Sequence, residues 1–454
     1  MPEHASARAA LGLVCDPGSL DELPYGDRED AGSDGPLDWA GYADARARAA
    51  ERTGERESVV AATATVGGTG TVVVAFDFGY LGGSLGRGTG DRVEAAHEHA
   101  RRHGLPVVSL VATGGSRMQE GMVALTQLQR LARQSALTRA AGLVQIAVAR
   151  DPTTGGGWAT LGAGADITLA LPGAQIGFAG SRVRPADTDP TAYGAESQLA
   201  AGAVDALVAP DALAEAVGGW LRLLAPGRAA TLPAPVPGAL GRTDLPDTGQ
   251  EAVRRARAPE RPRADAYLDA YFSFRRELSG DRAGGTDDGM RCGFGEREGR
   301  TVAYAAQCGT ATTPAGYRTA IRLLRLAGRL GVPVLTLVDT PGAANDAAAE
   351  RAGAGAAIAG LFAAVAESPV PVTSLVIGEG GSGGALALAA PGATWVAPDA
   401  YFSVIAPESA AAILKRPAEE AGTTADQLRL RPQDLLELGL VRGIAKRTGE
   451  QLFA

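Results

Sequence analysis

Leu105-Pro-Val-Val-Ser-Leu-Val-Ala-Thr-Gly-Gly115 is written a second time, about half a chain later, as Val332-Pro-Val-Leu-Thr-Leu-Val-Asp-Thr-Pro-Gly342. In both copies a continuous apolar run, the signature of a strand buried on both faces, ends in threonine and a glycine-bearing turn. Working outward, Thr153-Thr-Gly-Gly-Gly157 is matched by Gly380-Gly-Ser-Gly-Gly384, each followed by an alanine-bearing run. Thr113 pairs with Thr340, Gly115 with Gly342, Thr168 with Thr394, Pro172 with Pro398 and Ala174 with Ala400. A nearly fixed offset over this many positions is what a duplicated domain leaves behind, and it predicts two tandem α/β units.

Length agrees, because 454 residues exceed what one hydrophobic core usually supports. Between the matches the pattern alternates. Ser58 to Val66 and Thr71 to Phe78 flank Gly67-Gly-Thr-Gly70 and read as a hairpin. Helices are expected over Val93–His103 and Gln119–Ala141, and strands over Leu105–Val111 and Leu143–Ala149. In the second copy the expected order is strand 301–306, helix 316–331, strand 332–338, helix 347–366, strand 370–377. Residues 1–57 read as a polar N-terminal extension with one helix, Trp39 to Arg52. Residues 225–263, with seven prolines and few apolar anchors, read as a linker between units 58–224 and 264–454.

Composition narrows the function. A net charge of -8 argues against broad electrostatic binding of nucleic acid. Cys15, Cys292 and Cys308 form no CxxC pair, so neither a zinc ribbon nor a disulfide framework is expected, and no metal is predicted. No run of about 18 apolar residues is present to cross a membrane, and a cytoplasmic protein is the expectation.

Three motifs overlap in the second copy. Gly378-Glu-Gly-Gly-Ser-Gly383 satisfies GxGxxG after a strand, with Asp399 beyond it, yet Pro391-Gly392 ends the helix early and Asp151–Gly157 lacks the pattern. Gly380-Gly-Ser382-Gly-Gly384 satisfies GxSxG, but His4, His97, His99 and His103 all precede it, which excludes the hydrolase order Ser, Asp, His. His97, His99 and His103 share an arginine-rich helix and read as a solvated face. Asp339 and Asp151, after apolar runs, are acid or base candidates or simply turn caps. Arg117 and Glu120, beyond Gly114-Gly115, are either ligand contacts or a surface ion pair.

The glycine turns carry the stronger signal. A strand, a Gly-Gly turn and a helix start offer adjacent N–H donors at a positive helix end, which suits an oxyanion; the same glycines also serve tight helix–strand packing. Two such turns point to two carbonyl-bearing ligands.

Phe76-Asp-Phe-Gly-Tyr-Leu-Gly-Gly-Ser-Leu-Gly86, Gly114-Gly-Ser-Arg-Met-Gln-Glu-Gly121, Asp151-Pro-Thr-Thr-Gly-Gly156 and Ile176-Gly-Phe-Ala-Gly180 resemble the β subunit of the bacterial acetyl-CoA carboxylase carboxyltransferase. Leu278-Ser-Gly-Asp-Arg282, Thr313-Pro-Ala-Gly-Tyr-Arg318, Leu337-Val-Asp-Thr-Pro-Gly-Ala343, Gly378–Ala387 and Ser403-Val-Ile-Ala-Pro-Glu408 resemble its α subunit. The chain is thus similar to a β-α fusion over roughly residues 50–215 and 265–445.

The resemblance implies the crotonase fold in both halves. It implies transfer of a carboxyl group from carboxybiotin, on a biotin carboxyl carrier protein charged by biotin carboxylase, to acetyl-CoA or a related coenzyme A thioester, forming malonyl-CoA through an enolate. It implies that Gly156 and Gly157 form one oxyanion hole and Gly383 and Gly384, with Ala385, the other. Gly114, Gly115, Arg117 and Gly342 are the matching substrate-binding candidates. Acyl-CoA is expected against the first half, biotin against the second, in a homodimer or higher homo-oligomer. Two departures stand out. Residues 1–50 lack the four-cysteine zinc ribbon of the β subunits, and Ala344-Asn-Asp-Ala-Ala-Ala-Glu-Arg-Ala-Gly353 replaces the usual Tyr-Pro-Gly segment of the α subunits. A biotin-independent acyl-CoA decarboxylase on the same fold is the alternative these departures leave open, and a non-catalytic scaffold is a third.

Overall fold

The computed structural model describes residues 5–24, 33–225 and 232–447. The chain divides into two compact units, Met1–Gly227 and Arg228–Ala454.

The first unit is built on a sheet of β1 (Asp21–Glu22), β2 (Val59–Val66), β3 (Thr69–Phe76), β4 (Val107–Thr113), β5 (Gln145–Thr154), β6 (Ile167–Ala170), β7 (Ile176–Gly177) and β8 (Ala206–Leu207). Its order is β1-β2-β3-β4-β5-β6-β8, with β7 paired to the far end of β5. The hairpin expected around Gly67 is present. Val66 pairs with Thr69 across Gly67 and Gly68, both at positive φ, as a tight two-residue turn between twisted strands demands. From β3 to β8 every pairing is parallel. Val107–Val111 and Gln145–Ala149 are buried throughout, which is why their sequences run apolar without alternation.

The second unit repeats this strand for strand: β9 (Phe274–Leu278), β10 (Met290–Arg297), β11 (Arg300–Gln307), β12 (Val334–Thr340), β13 (Val372–Gly381), β14 (Thr394–Val396), β15 (Tyr401–Ser403) and β16 (Gly443–Ile444). The order is β9-β10-β11-β12-β13-β14-β16, with β15 on the far end of β13. The helices Arg87–His103 and Pro314–Leu330 cross over to β4 and β12, and each ends on a left-handed glycine, Gly104 or Gly331. The duplication read from the sequence is therefore present at every strand.

Four expectations change. The described part of residues 1–57 does not stand apart: helix Ala7–Val14 buries Ala7, Ala10, Leu11 and Val14, and the Ala7 N–H donates to Asp77 Oδ2 at 2.9 Å. The proline-rich stretch taken as a linker belongs, beyond residue 232, to the second unit. It contains helix Gly249–Arg257, whose Ala252, Val253 and Ala256 pack against Tyr401, Ala425 and Leu430. Its arginines hide the packing from a composition-based reading, because carboxylates neutralise them: Arg255 Nη2 meets Glu251 at 2.7 Å and Asp244 at 2.8 Å. The helix expected over 347–366 is two, Ala347–Arg351 and Ala354–Ala366, parted by the left-handed Gly353. Finally, His97 is not on a solvated face. It is buried against Thr138, with Nδ1 and Oγ1 2.9 Å apart.

Among the described residues no helix is long and apolar enough to cross a membrane, and no group of three His, Cys, Asp or Glu side chains could hold a metal.

Candidate active site

Each unit builds the same turn by the same device. In the first, the β4–β5 register slips between Val111 and Thr113, so that Thr113 pairs with Thr153. In the second, β12–β13 slips between Val338 and Thr340, so that Thr340 pairs with Gly380. Such a slip bends the strand ends and re-aims the chain beyond them. Gly115 and Gly342 follow at φ +108° and +142°, and each donates its N–H to the preceding threonine hydroxyl, Thr113 or Thr340, at 3.1 Å. A neighbouring segment closes the turn by a parallel bridge, Leu85 to Ser116 in one unit and Thr312 to Ala343 in the other.

These bonds decide which amides are free. The N–H of Gly114 donates to Gly82 O at 2.9 Å, and those of Gly115 and Gly342 are used as just described. Gly114, Gly115 and Gly342 therefore shape the turn and do not offer the donors expected of them. The donors lie one strand over, where β5 and β13 run into short helical turns beginning at Gly155 and Ser382. The Gly155 N–H is taken by Phe178 O at 3.1 Å. Gly156, Gly157, Gly383 and Gly384 stand in the first turn, where the helix supplies no acceptor for their N–H groups. Ala385 falls one residue later, inside the i to i−4 pattern, so its amide belongs to the helix.

The glycines differ in why they are glycine. A Cβ on Gly156 would lie 2.3 Å from Leu128 Cδ2, and one on Gly157 2.3 Å from Thr113 Cγ2. A Cβ on Gly384 would lie 2.4 Å from Ala343 N and 2.6 Å from Tyr317 Oη. Gly383 is the exception: a Cβ there meets nothing within 4 Å. The residue before it is exceptional in the opposite sense. Ser382 sits at φ +58°, where the first unit places Gly155 at +64°.

Behind the second turn the lining is polar. Gln307 Nε2 donates to Thr312 Oγ1 at 3.1 Å and to Gly384 O at 3.3 Å, which fixes the plane of the Gly384–Ala385 peptide. Gln307 Oε1 is buried with no hydrogen-bond partner among the described residues, and the buried Tyr317 hydroxyl stands beside Thr312 and the Gly384 backbone. Sequence reading passed over both. Tyr317 stood in plain view in Thr313-Pro-Ala-Gly-Tyr-Arg318, but nothing local marks which face of its helix meets the turn.

The charged candidates prove structural. Arg117 is 1% exposed, neither on the surface nor free for a ligand. Its Nη1 reaches Glu57 Oε2 at 3.0 Å, Tyr42 Oη at 3.2 Å and Glu120 Oε1 at 3.4 Å, and its Nη2 reaches Ser84 O at 2.8 Å. Burial alone would raise the Glu57 carboxyl, but the Arg117 guanidinium outweighs it and holds Glu57 below the usual carboxylate range. Glu120 also accepts from Tyr42 Oη and the Arg87 N–H, both at 2.6 Å. Asp339 is likewise buried, gripped by Arg261 Nη2 at 2.6 Å to both carboxylate oxygens, with the Glu379 N–H at 3.1 Å. Asp151 Oδ1 accepts the Gln175 N–H at 2.8 Å, a turn role. No histidine lies in the second unit, so Ser382 has no imidazole base there.

Comparison with known proteins points to one family. Residues 247–450 match the family described as acetyl co-enzyme A carboxylase carboxyltransferase-like, and residues 30–206 match the carboxyl transferase domain. The acetyl-coenzyme A carboxylase carboxyl transferase subunits beta/alpha of Saccharopolyspora erythraea is 38% identical over 447 residues, covering 93% of this chain and 78% of that protein. The probable biotin-dependent acyl-coenzyme A carboxylase beta3 subunit of Mycobacterium tuberculosis is 34% identical over 88% of this chain and 82% of its own. Among solved structures, transcarboxylase 12S superposes with a TM-score of 0.78 at 21% identity, covering 98% of this chain and 86% of that one. A single-chain, multi-domain long-chain acyl-CoA carboxylase gives 0.73 at 20%, covering 97% and 44%. These superpositions place both units in the crotonase-like fold expected from the sequence.

Proposed function

The chain belongs to the β/α carboxyltransferase family of acetyl-CoA carboxylase, and on that premise we propose that its two glycine turns are the two oxyanion holes of a carboxyl transfer from carboxybiotin to acetyl-CoA. The enzyme is an acyl-CoA carboxyltransferase. One observation carries the assignment of its site. The same strand slip and short helix place two first-turn amides in each unit, Gly156 and Gly157 in one and Gly383 and Gly384 in the other, where the helix supplies no acceptor of its own.

The chemistry asks for this. Removing a proton from the thioester methyl places negative charge on the carbonyl oxygen. Fixed N–H donors aimed there are worth more than solvent, because they need no reorganisation as the charge develops. We assign the first pair of amides to that enolate oxygen. The second pair holds the ureido carbonyl of the carboxyl donor, and the open approach at Gly383 fits a planar group lying close to the backbone. Carboxybiotin, as co-substrate, supplies the carboxyl group and accepts the proton. That division explains why Asp339, Glu57 and Glu120 can all be committed to ion pairs: no side-chain base is required of them.

The partners proposed are a biotin carboxyl carrier protein and its biotin carboxylase, with the chain acting as a cytoplasmic homo-oligomer. The test is malonyl-CoA formation from acetyl-CoA by the purified chain, with and without carboxylated carrier. Carrier-dependent product is expected. Consumption of malonyl-CoA supplied alone, with no carrier-dependent synthesis, would move the assignment to a decarboxylase.

A further inference from the structure

We infer that Ser382 is a ligand-contacting residue of the second turn, its hydroxyl donating a hydrogen bond to the carbonyl oxygen held by Gly383 and Gly384; this rests on the assignment of that turn to the carboxyl donor. The fold requires positive φ at this position in both units, +64° at Gly155 and +58° at Ser382. Glycine meets that requirement without strain, whereas a side chain there crowds the following carbonyl. The serine is therefore the costlier choice for folding. No described residue offsets it by a hydrogen bond to the half-buried hydroxyl.

Gly383 departs from local preference in the reverse direction. It sits within the helix Ser382–Leu386 at an ordinary φ with open space where a Cβ would stand, a place that favours alanine. A strained serine followed by an unforced glycine is inconsistent with selection for folding alone. It is consistent with a ligand that needs a hydroxyl at one residue and close backbone approach at the next. The inner side of the same turn adds an independent sign of polar function. Gln307, fully buried and donating from Nε2 to Gly384 O at 3.3 Å, leaves its Oε1 without a partner among the described residues.

The hydroxyl acts as donor and not as nucleophile, since no histidine lies in its unit to take its proton. The reaction remains that of the proposed transfer, with one more hydrogen bond to the oxygen that gains charge.

The experiment uses the full chain, carboxylated carrier and acetyl-CoA, comparing wild type with Ser382→Gly and Ser382→Ala by kcat, KM and melting temperature. For Ser382→Gly we expect a melting temperature at or above that of wild type, an unchanged KM for acetyl-CoA, and a kcat lower on the order of 10²-fold, the loss that removal of one oxyanion donor produces. Ser382→Ala should lose as much rate without the rise in melting temperature, since it keeps the strain. An unchanged kcat in Ser382→Gly, with active wild type, overturns the inference while leaving the transferase reading in place. A fall of kcat and melting temperature together assigns Ser382 to folding and also overturns it. Absence of carrier-dependent transfer by wild type overturns both.

Discussion

The two units share strand order, bulge position and turn geometry, yet they differ in what lies behind the turn. In the first, hydrocarbon seals it: Leu128 stands against Gly156, and Thr113 Cγ2 and Leu85 stand against Gly157. In the second, Gln307, Thr312 and Tyr317 bring hydroxyl and amide groups to Gly384, and Gly383 faces open space. A duplicated backbone has kept its turns in place while the side chains around them diverged. The first turn has an apolar lining. The second has a more polar lining and is open at Gly383, a difference that fits the two different ligands proposed for them.

The units also anchor their turns with different buried arginines, and this gives the largest expected effect. Arg117→Met leaves Glu57 and Glu120 buried without their cation, and loss of one partner from such a pair costs about 3–5 kcal/mol. Arg261→Met leaves Asp339 with Arg263 at 3.5 Å and the Glu379 N–H at 3.1 Å, so its cost should be smaller. Chemical denaturation of both variants checks the ranking. Equal losses would mean that the partial replacements around Asp339 contribute nothing.

Acid sensitivity should separate the units next. All four histidines precede residue 104, and His97 is held down to about 4, by burial first and then by Arg101 and Arg139. A histidine lowered on folding binds its proton more readily in the unfolded chain. Its contribution to stability is therefore intact above about pH 6.5, falls as pH drops toward 4, and changes no further below that. His97→Gln should flatten the unfolding profile in that window by an amount on the order of 3 kcal/mol relative to wild type. Profiles that stay parallel would place the acid sensitivity elsewhere.

Gly157→Ala comes third. The new Cβ meets Thr113 Cγ2 at 2.3 Å in a fully buried setting, an overpacking that costs about 1–3 kcal/mol. Transfer should fall with it, because the amide of residue 157 moves with the backbone. Calorimetry and the carrier-coupled assay together measure both losses; retention of full stability would show that the turn relaxes.

How much of this was legible in the sequence follows from what each feature depends on. Strand order, the hairpin at Gly67-Gly68 and the duplication depend on local periodicity and turn chemistry, which a sequence displays. The packing of 232–263 onto the second unit does not, since prolines and arginines read as linker until Asp244, Glu251 and Asp339 neutralise them. The donors proposed at Gly156, Gly157, Gly383 and Gly384 come from reading the glycine turns, whereas the N–H groups of Gly114, Gly115 and Gly342 are taken up inside those turns. Which amides remain free depends on a strand slip and on threonine hydroxyls, and no residue pattern announces either. Arg117 was expected on the surface or on a ligand because its cations' partners, Glu57 and Tyr42, lie far from it in sequence.

The smallest change in stability should carry the clearest message. Gly383→Ala places a methyl group where nothing stands within 4 Å, at an ordinary φ inside a helix. Exchanging glycine for alanine in a helix gains up to about 1 kcal/mol, so the variant should melt at or slightly above the wild-type temperature. Carboxyl transfer should nevertheless fall, because the methyl occupies the approach to the Gly383 amide. Gly157→Ala, its partner in the comparison, should lose stability and rate together. The contrast separates a glycine demanded by packing from one demanded by a ligand. Full transfer activity in stable Gly383→Ala would remove the second turn from the reaction and leave the first as the sole oxyanion site.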